Sequence, residues 1–404
     1  MSMALEGIRV LEWGHWHQGP LAARILGDLG AEVVKIEERV GGDPMRGLGR
    51  IMGATTGIHG RNCVFEHHNR NKKSITLDLT KESGKEILYK LVEKSDVFIQ
   101  NMRKGVAERL GMDYETLCRY NPRLIYATGS GWGPKGPISN IPSYDLVGQA
   151  RSGIMTVAVE PGMPPMPLRG GVGDQMGGIM TAFAIVVALL VRERQGISQE
   201  VEASLLGSLT HLLSLNLEYR LAMGHEFAPF VRARAGNPLW NHYKCKDDRW
   251  IMLAMAQSDR HWPEVCKALG LEHLEKDPKF STMEERGQNA AELVSIMDAV
   301  FATKTGAEWL ETLRNSGDLV FEAVHTMSDV AEDPQMRAND YIIDYEHPAL
   351  GRISITGFPM HFSQTPESVR MPAPEFGENT EEVLQNILGF TWKELTKLKD
   401  EEVI

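Results

Sequence analysis

The alternation at the start of the chain constrains its fold most. Gly7-Ile8-Arg9-Val10-Leu11-Glu12 reads as a short strand, 14–19 as a loop and 21–29 as a helix. Pro20 opens that helix, where its missing N–H costs nothing, and Gly30 closes it. Residues 32–37 form a second strand. Strand, helix and strand at this spacing predict a parallel sheet covered by helices, an α/β fold. Segments 74–79, 96–100, 123–128 and 199–204 continue the strand series, and 81–94 reads as an amphipathic helix. Ligands of open α/β sheets gather at loops beyond the carboxyl ends of strands. Four of these strands run into loops carrying glycine, arginine or asparagine, which marks a binding edge.

Glu37 ends the second strand, as the acidic residue of a dinucleotide site would. The first loop, Gly14-His15-Trp16-His17-Gln18-Gly19-Pro20, lacks G-x-G-x-x-G, and Trp16 and His17 stand where backbone would meet a pyrophosphate. A nicotinamide cofactor is not expected there. The net charge of −11 argues against nucleic acid and anionic membrane as partners. Cys63, Cys118, Cys245 and Cys266 are widely spaced, which fits a reducing, cytoplasmic setting. No basic and apolar leader opens the sequence.

Arg169-Gly170-Gly171-Val172-Gly173-Asp174-Gln175-Met176-Gly177-Gly178 precedes an apolar run over 179–191, closed by Arg192, Glu193 and Arg194. The run is short for a membrane span and reads as a buried core helix. Asp174 has two readings: a helix cap in a glycine-rich turn, or a nucleophile kept ionised by the helix N-terminus. The local sequence leaves both open.

Other chemistries fare less well. Thirteen histidines include His15/His17 and His67/His68, but none falls in zinc spacing, so no metal is expected. Gly129-Ser130-Gly131 misses the G-x-S-x-G elbow, because Thr128 stands two before Ser130. Arg70, Lys72 and Lys73 precede one strand, and Arg103, Lys104 and Arg109 follow another. Two such groups on a binding edge suit the phosphates of a nucleotide-like ligand, or else a solvated face. Residues 206–223 read as a connecting helix, and the texture changes at Gly224, so 224–330 reads as a smaller domain.

Several stretches together carry a family resemblance. They include 5–11, 27–37, Gly42-Asp43-Pro44-Met45-Arg46-Gly47, 69–79, 121–125, Gly131-Trp132-Gly133, Tyr144-Asp145-Leu146, Gly173-Asp174 and 377–384. In this order the chain resembles the class III CoA-transferases, which include formyl-CoA:oxalate and carnitine CoA-transferases. The resemblance implies a large Rossmann-like domain built from both chain ends (1–205 and 331–404), an inserted α+β domain over 224–330, and an interlocked dimer. It implies a homodimer, or a heteromer with a paralogue. It makes Asp174 the nucleophile, passing through an aspartyl anhydride and an aspartyl-CoA thioester. Acyl-CoA and a free acid would be substrates, with no tightly bound cofactor. By position it implies CoA contacts from His17, Gln18, Arg39, Lys73, Leu77, Asp78, Asn101, Arg103, Arg109, Ser143, Tyr144 and Asp145.

Departures from the formyl-CoA branch bear on the substrate. His17 stands where that branch often has glutamine, and Glu38 where it has arginine, with Arg39 beside it. Its mobile glycine loop is replaced by Arg234-Ala235-Gly236-Asn237-Pro238-Leu239-Trp240. Oxalate is therefore not expected. His17, Tyr144, Gly236, Asn237 and Trp240, with Trp16 and Trp132, fit a bulky apolar or aromatic acid. Backbone N–H groups near Gly173 or Gly236 would hold an oxyanion. Two alternatives stand beside this reading: an α-methylacyl-CoA racemase, which would need a histidine where Tyr144 stands, and an inactive CoA-binding subunit.

Overall fold

All six expected strands lie in one sheet of a computed structural model that describes residues 2–51 and 53–404. Along the chain come β1 (Arg9–Trp13), α1 (Gln18–Asp28) and β2 (Glu32–Glu37). The segment after β2 holds a 3-10 turn at Pro44–Gly47 and two small ladders, β3 (Arg50–Ile51) with β4 (Ala54–Thr55) and β5 (Gly57–Ile58) with β6 (Arg61–Asn62). Then follow α2 (Cys63–Asn69), β7 (Lys72–Thr76), α3 (Glu82–Val92), β8 (Val97–Gln100), α4 (Val106–Leu110), α5 (Tyr114–Tyr120) and β9 (Ile125–Ser130). Helices α6 (Asp145–Ser152), α7 (Ile154–Val157) and α8 (Val172–Gln195) lead to β10 (Glu200–Ser204), α9 (Leu205–Leu212) and α10 (Ser214–Met223).

The sheet order is β10-β9-β8-β1-β2-β7, and every pairing is parallel. The winding direction reverses between β1 and β8, which opens a crevice at their carboxyl ends. Both faces are covered. One core joins Leu11, Val34, Ile36 and Phe98 to Leu88 of α3 and Leu117 of α5. The other joins Val10, Val33 and Ile99 to Ala22 and Leu26 of α1 and to Ala182 and Ile185 of α8. Burying one such leucine or isoleucine contributes about 1.5–3 kcal/mol.

Three sequence expectations need correction. Strand β7 starts at Lys72 and ends at Thr76, since Thr76 pairs with Glu37, the last residue of β2. Beyond it Asp78 N–H turns to the carbonyl of Val403. The connecting helix expected over 206–223 is two helices, interrupted at Leu213. Helix α8 is 24 residues, long and apolar enough by length and composition to cross a membrane. Only one face is buried, against the sheet and α1; Ile179, Phe183, Val187 and Leu190 are exposed on the other.

The chain packs into two compact units. The larger comprises Met1–Thr156, Met166–Glu226 and Asn339–Ile404; the smaller comprises Val157–Pro165 and Phe227–Ala338. Helices α9 and α10 thus fold within the larger unit rather than standing as a linker, because Leu205 and Leu209 bury against α6 and α8. The smaller unit extends past 330 and takes in 157–165, where Glu160 accepts from Arg232 N–H. Its antiparallel strands β11 (Trp240–Lys244), β12 (Trp250–Ala254) and β13 (Phe321–Ala323) share a core with Trp262, Phe301 and Trp309.

The C-terminal segment of the larger unit begins with the hairpin β14 (Ile342–His347) and β15 (Gly351–Thr356). Its last two helices, Thr380–Leu388 and Trp392–Asp400, put Val383, Leu384 and Leu395 into the core over β1, β2 and β8.

Candidate active site

A buried charge network builds the floor beneath the crevice. Lys35 Nζ meets Glu12 Oε1 at 2.8 Å, Asp43 Oδ2 at 2.9 Å and the Gly14 carbonyl at 2.9 Å. Lys72 Nζ meets Glu12 Oε2 at 2.6 Å, the Pro20 carbonyl at 2.8 Å and Asn69 Oδ1 at 2.9 Å. All four charged side chains are fully buried, and each stays only because its partners replace water. Burial lowers Lys72 to about 8. The attraction of Asp43, Glu12 and Glu37 outweighs burial at Lys35 and raises it. Asp43 also accepts from Trp16 N–H at 3.2 Å and holds Trp16 at a left-handed φ of 67°. That strained residue sets the direction of His17.

The basic cluster seen in sequence is therefore internal. Arg70 donates to Asp28, Lys72 is sealed under the sheet edge, and Lys73 pairs with Glu32 and Glu382. Lys73 does not line the crevice. Neither do Arg39, which pairs with Glu402, Leu77, which is fully buried, Asp78 or Arg109. Among the residues expected at CoA these five lie outside the crevice; at β2 and β7, Arg39, Lys73 and Asp78 are joined instead to the C-terminal segment.

The crevice encloses about 510 Å³ and is lined by the ends of β1, β8, β9 and β10. His17, Gln18, Asn101, Arg103, Ser143, Tyr144 and Asp174 all line it, as do Lys104 and Trp132. Asn101 accepts from His15 N–H at 2.9 Å and donates to the His15 carbonyl at 2.8 Å, tying the β1 and β8 loops together. Gln18 donates to the Ala203 carbonyl at 3.0 Å. It belongs to α1, which starts two residues before the expected Pro20. Trp132 Nε1 donates to the Ile141 carbonyl, and Tyr144 stands exposed beside it. Gly236, Asn237 and Trp240 belong to the smaller unit. There Asn237 bonds Leu239 N–H and the Met255 carbonyl, and Trp240 is exposed at the start of β11.

Asp174 sits in the first turn of α8, but it does not cap the helix. Asp145 does. Its Oδ1 accepts from Gly173 N–H at 2.6 Å and from Asp174 N–H at 3.2 Å. Asp145 is buried, its Oδ2 accepts from Gln149 at 2.6 Å, and it does not line the crevice. With the helix terminus taken, the expectation of a carboxyl kept ionised by it fails. Burial, and after it the charge of Asp145, pushes Asp174 up to about 7. His17 stands beside it, its Nδ1 3.8 Å from Asp174 Oδ2. Burial holds His17 down at about 4, so the pair is a carboxyl beside a neutral imidazole. Bare glycine makes room on both sides. A Cβ at Gly171 would stand 2.8 Å from His17 Cε1, and one at Gly177 2.8 Å from Gln18 Nε2.

Among the described residues no group of three or more histidine, cysteine or acidic side chains is placed to hold a metal. Sequence reasoning missed the histidine pair of α2. His68 packs edge-on against His17 with ring centroids 3.9 Å apart, and His67 packs on His68 at 4.7 Å. The doublet was visible, but only the approach of α2 to α1 gives it a place.

The sequence matches the profile of CoA-transferase family III over residues 5–380. It is 31% identical to (R)-2-hydroxy-4-methylpentanoate CoA-transferase of Clostridioides difficile, over 100% of both chains. It is also 31% identical to cinnamoyl-CoA:phenyllactate CoA-transferase of Clostridium sporogenes, over 98% of this chain and 97% of that one. A CAIB/BAIF family protein from Brucella suis superposes with a TM-score of 0.85 at 27% identity, covering 96% of this chain and 100% of the other.

Proposed function

The chain belongs to CoA-transferase family III, and from that membership we propose that it moves CoA between carboxylic acids through covalent intermediates on Asp174. One observation carries the reading: an exposed edge of a largely buried carboxyl, raised to about 7, opens into the crevice beside a neutral imidazole. A carboxylate attacking a thioester must expel a thiolate whose ordinary value is about 8.5. Raising the carboxyl toward the thiol brings anhydride and thioester closer in energy, so both directions run.

In the proposed sequence a carboxylate oxygen of Asp174 attacks the donor thioester carbon and CoA leaves as thiolate, giving a mixed anhydride. The thiolate attacks the Asp174 carbonyl carbon and expels the donor acid, giving an aspartyl-CoA thioester. The acceptor carboxylate attacks that carbon, again releasing thiolate and forming a second anhydride. The thiolate then attacks the acceptor's carbonyl carbon and frees Asp174. Arg103 and Lys104 at the mouth suit the phosphates of CoA. A mostly apolar groove of Trp132, Ile138, Ile141, Val147 and Ala150, with Arg151 at its side, adjoins the crevice and supports an acid with a branched or aromatic side chain, as the names of both relatives do.

The sequence speaks against a racemase, because Tyr144 supplies no imidazole where the second base of a two-base proton swap would stand. The exposed apolar stripe of α8 supports burial in a homodimer. Four free cysteines support a reducing cytoplasm. Asp174→Ala tests the reading with a panel of acyl-CoA donors and acids, scored by mass for CoA exchange. Exchange should vanish, and hydroxylamine added during wild-type turnover should mark Asp174. Exchange near the wild-type rate in the variant would remove the nucleophile assignment.

A further inference from the structure

We propose that His68 is a positioning residue: it fixes the ring of His17 so that Nδ1–H faces Asp174 Oδ2, holding one carboxylate oxygen while the other attacks. The inference rests on Asp174 being the nucleophile. His17 occupies the N-cap position of α1, and its side chain is 11% exposed. Its ring is boxed in. Gly171 lies against one side, where any Cβ would collide with Cε1, and His68 lies against the ring at 71° between planes.

His68 is itself immobilised. It is 2% exposed, and its Nδ1 lies 2.6 Å from the Val64 carbonyl one turn back in α2. A carbonyl only accepts, so that nitrogen carries the proton and His68 Nε2 is bare. His17 Nε2 is also buried without a hydrogen-bond partner. An orphaned buried N–H is rarer than an orphaned acceptor. The His17 proton therefore belongs on Nδ1, where an ionised Asp174 accepts it. At 3.8 Å the contact is longer than a hydrogen bond, as catalytic contacts without substrate often are, and a shift under 1 Å closes it. Donation to an oxygen of Asp174 favours its ionised form. Once Asp174 is acylated, the same N–H faces the carbonyl oxygen on which negative charge develops when thiolate attacks.

The charged groups that act on this cluster are Asp145 from α6, on Asp174, and Arg24 from α1 and Arg70 after α2, on His67. Asp145 opposes ionisation of Asp174. Burial, helped by Arg24 and Arg70 at His67 and by the neighbouring His17 and His67 at His68, keeps both α2 histidines neutral. Leu209 of α9 adds only an apolar wall beside Gly173.

The test is the pH profile of kcat/KM in His68→Asn and His68→Phe. Asparagine can still donate to the Val64 carbonyl, so the fold has a second route if phenylalanine fails to fold. Both remove the imidazole from His17. The acid limb should move to higher pH and kcat should fall about tenfold or more, with KM for acyl-CoA within about twofold. An acid limb that stays in place, or a loss carried by KM alone, overturns the proposal. Asp174→Ala separates the claims: an inactive Asp174→Ala with an unmoved profile in His68→Asn refutes only the positioning role.

Discussion

Asp174→Asn should make the protein more stable, by an amount that depends on pH. Burial and Asp145 raise the folded carboxyl from the usual 3.8 to about 7. That displacement corresponds to about 4 kcal/mol of preference for the neutral form. Below about pH 4 the carboxyl is protonated in both folded and unfolded chains, and asparagine gains nothing. Between about pH 4 and 7 the unfolded chain has lost the proton that the folded chain keeps. Stability then falls by about 1.4 kcal/mol per pH unit, and above pH 7 the full cost stands. The amide carries no charge, so the advantage of the variant should grow from near zero at pH 4 to about 4 kcal/mol at pH 8. Asp174 is 23% exposed, which makes this figure an upper value. The assay is thermal or urea unfolding of both proteins at matched concentration across this range, taken as a difference so that other groups cancel. An advantage that does not change with pH, or a less stable variant at pH 8, would refute the burial argument. On the proposed role of Asp174, the gain should accompany loss of CoA exchange, a trade of stability for activity.

Three further perturbations test the surroundings. Asp145→Asn removes the neighbouring charge and should move the acid limb of kcat/KM to lower pH; it also turns an amide toward Gln149 Nε2, costing about 1–3 kcal/mol in a melt. Lys35→Met leaves Glu12 and Asp43 buried without their shared cation, and should cost about 3–5 kcal/mol of unfolding free energy and release the loop carrying Trp16 and His17. Gly178→Ala places a Cβ 2.9 Å from Leu21 Cδ2 and 3.0 Å from the Gln18 carbonyl. It should lower stability by about 1–3 kcal/mol and reduce kcat by displacing α1, read by melts and steady-state kinetics.

The parallel sheet was legible in local pattern alone. Apolar runs of four to six residues, separated by helical repeats, have few other ways to be buried, and all six strands stand where the runs are, apart from end shifts of up to three residues. The sequence also singled out Asp174, because glycines on both sides of a carboxylate at the mouth of an apolar helix are a local pattern. Charge placement was not local. Arg70, Lys72 and Lys73 looked like a phosphate site, yet their partners Asp28, Glu12, Glu32 and Glu382 lie on other elements, and only the packed sheet brings them together. The same holds at Asp174. A helix N-terminus beside a carboxylate implies a cap, but the tertiary structure delivers Asp145 from α6 to that terminus. It thereby reverses the state of Asp174, from a carboxylate held by N–H groups to a buried carboxyl raised by a like charge. Local sequence sets which dihedrals and faces a segment prefers, whereas ionisation depends on what lies within a few ångströms through space, and that was decided only when α1, α2, α6 and α8 met.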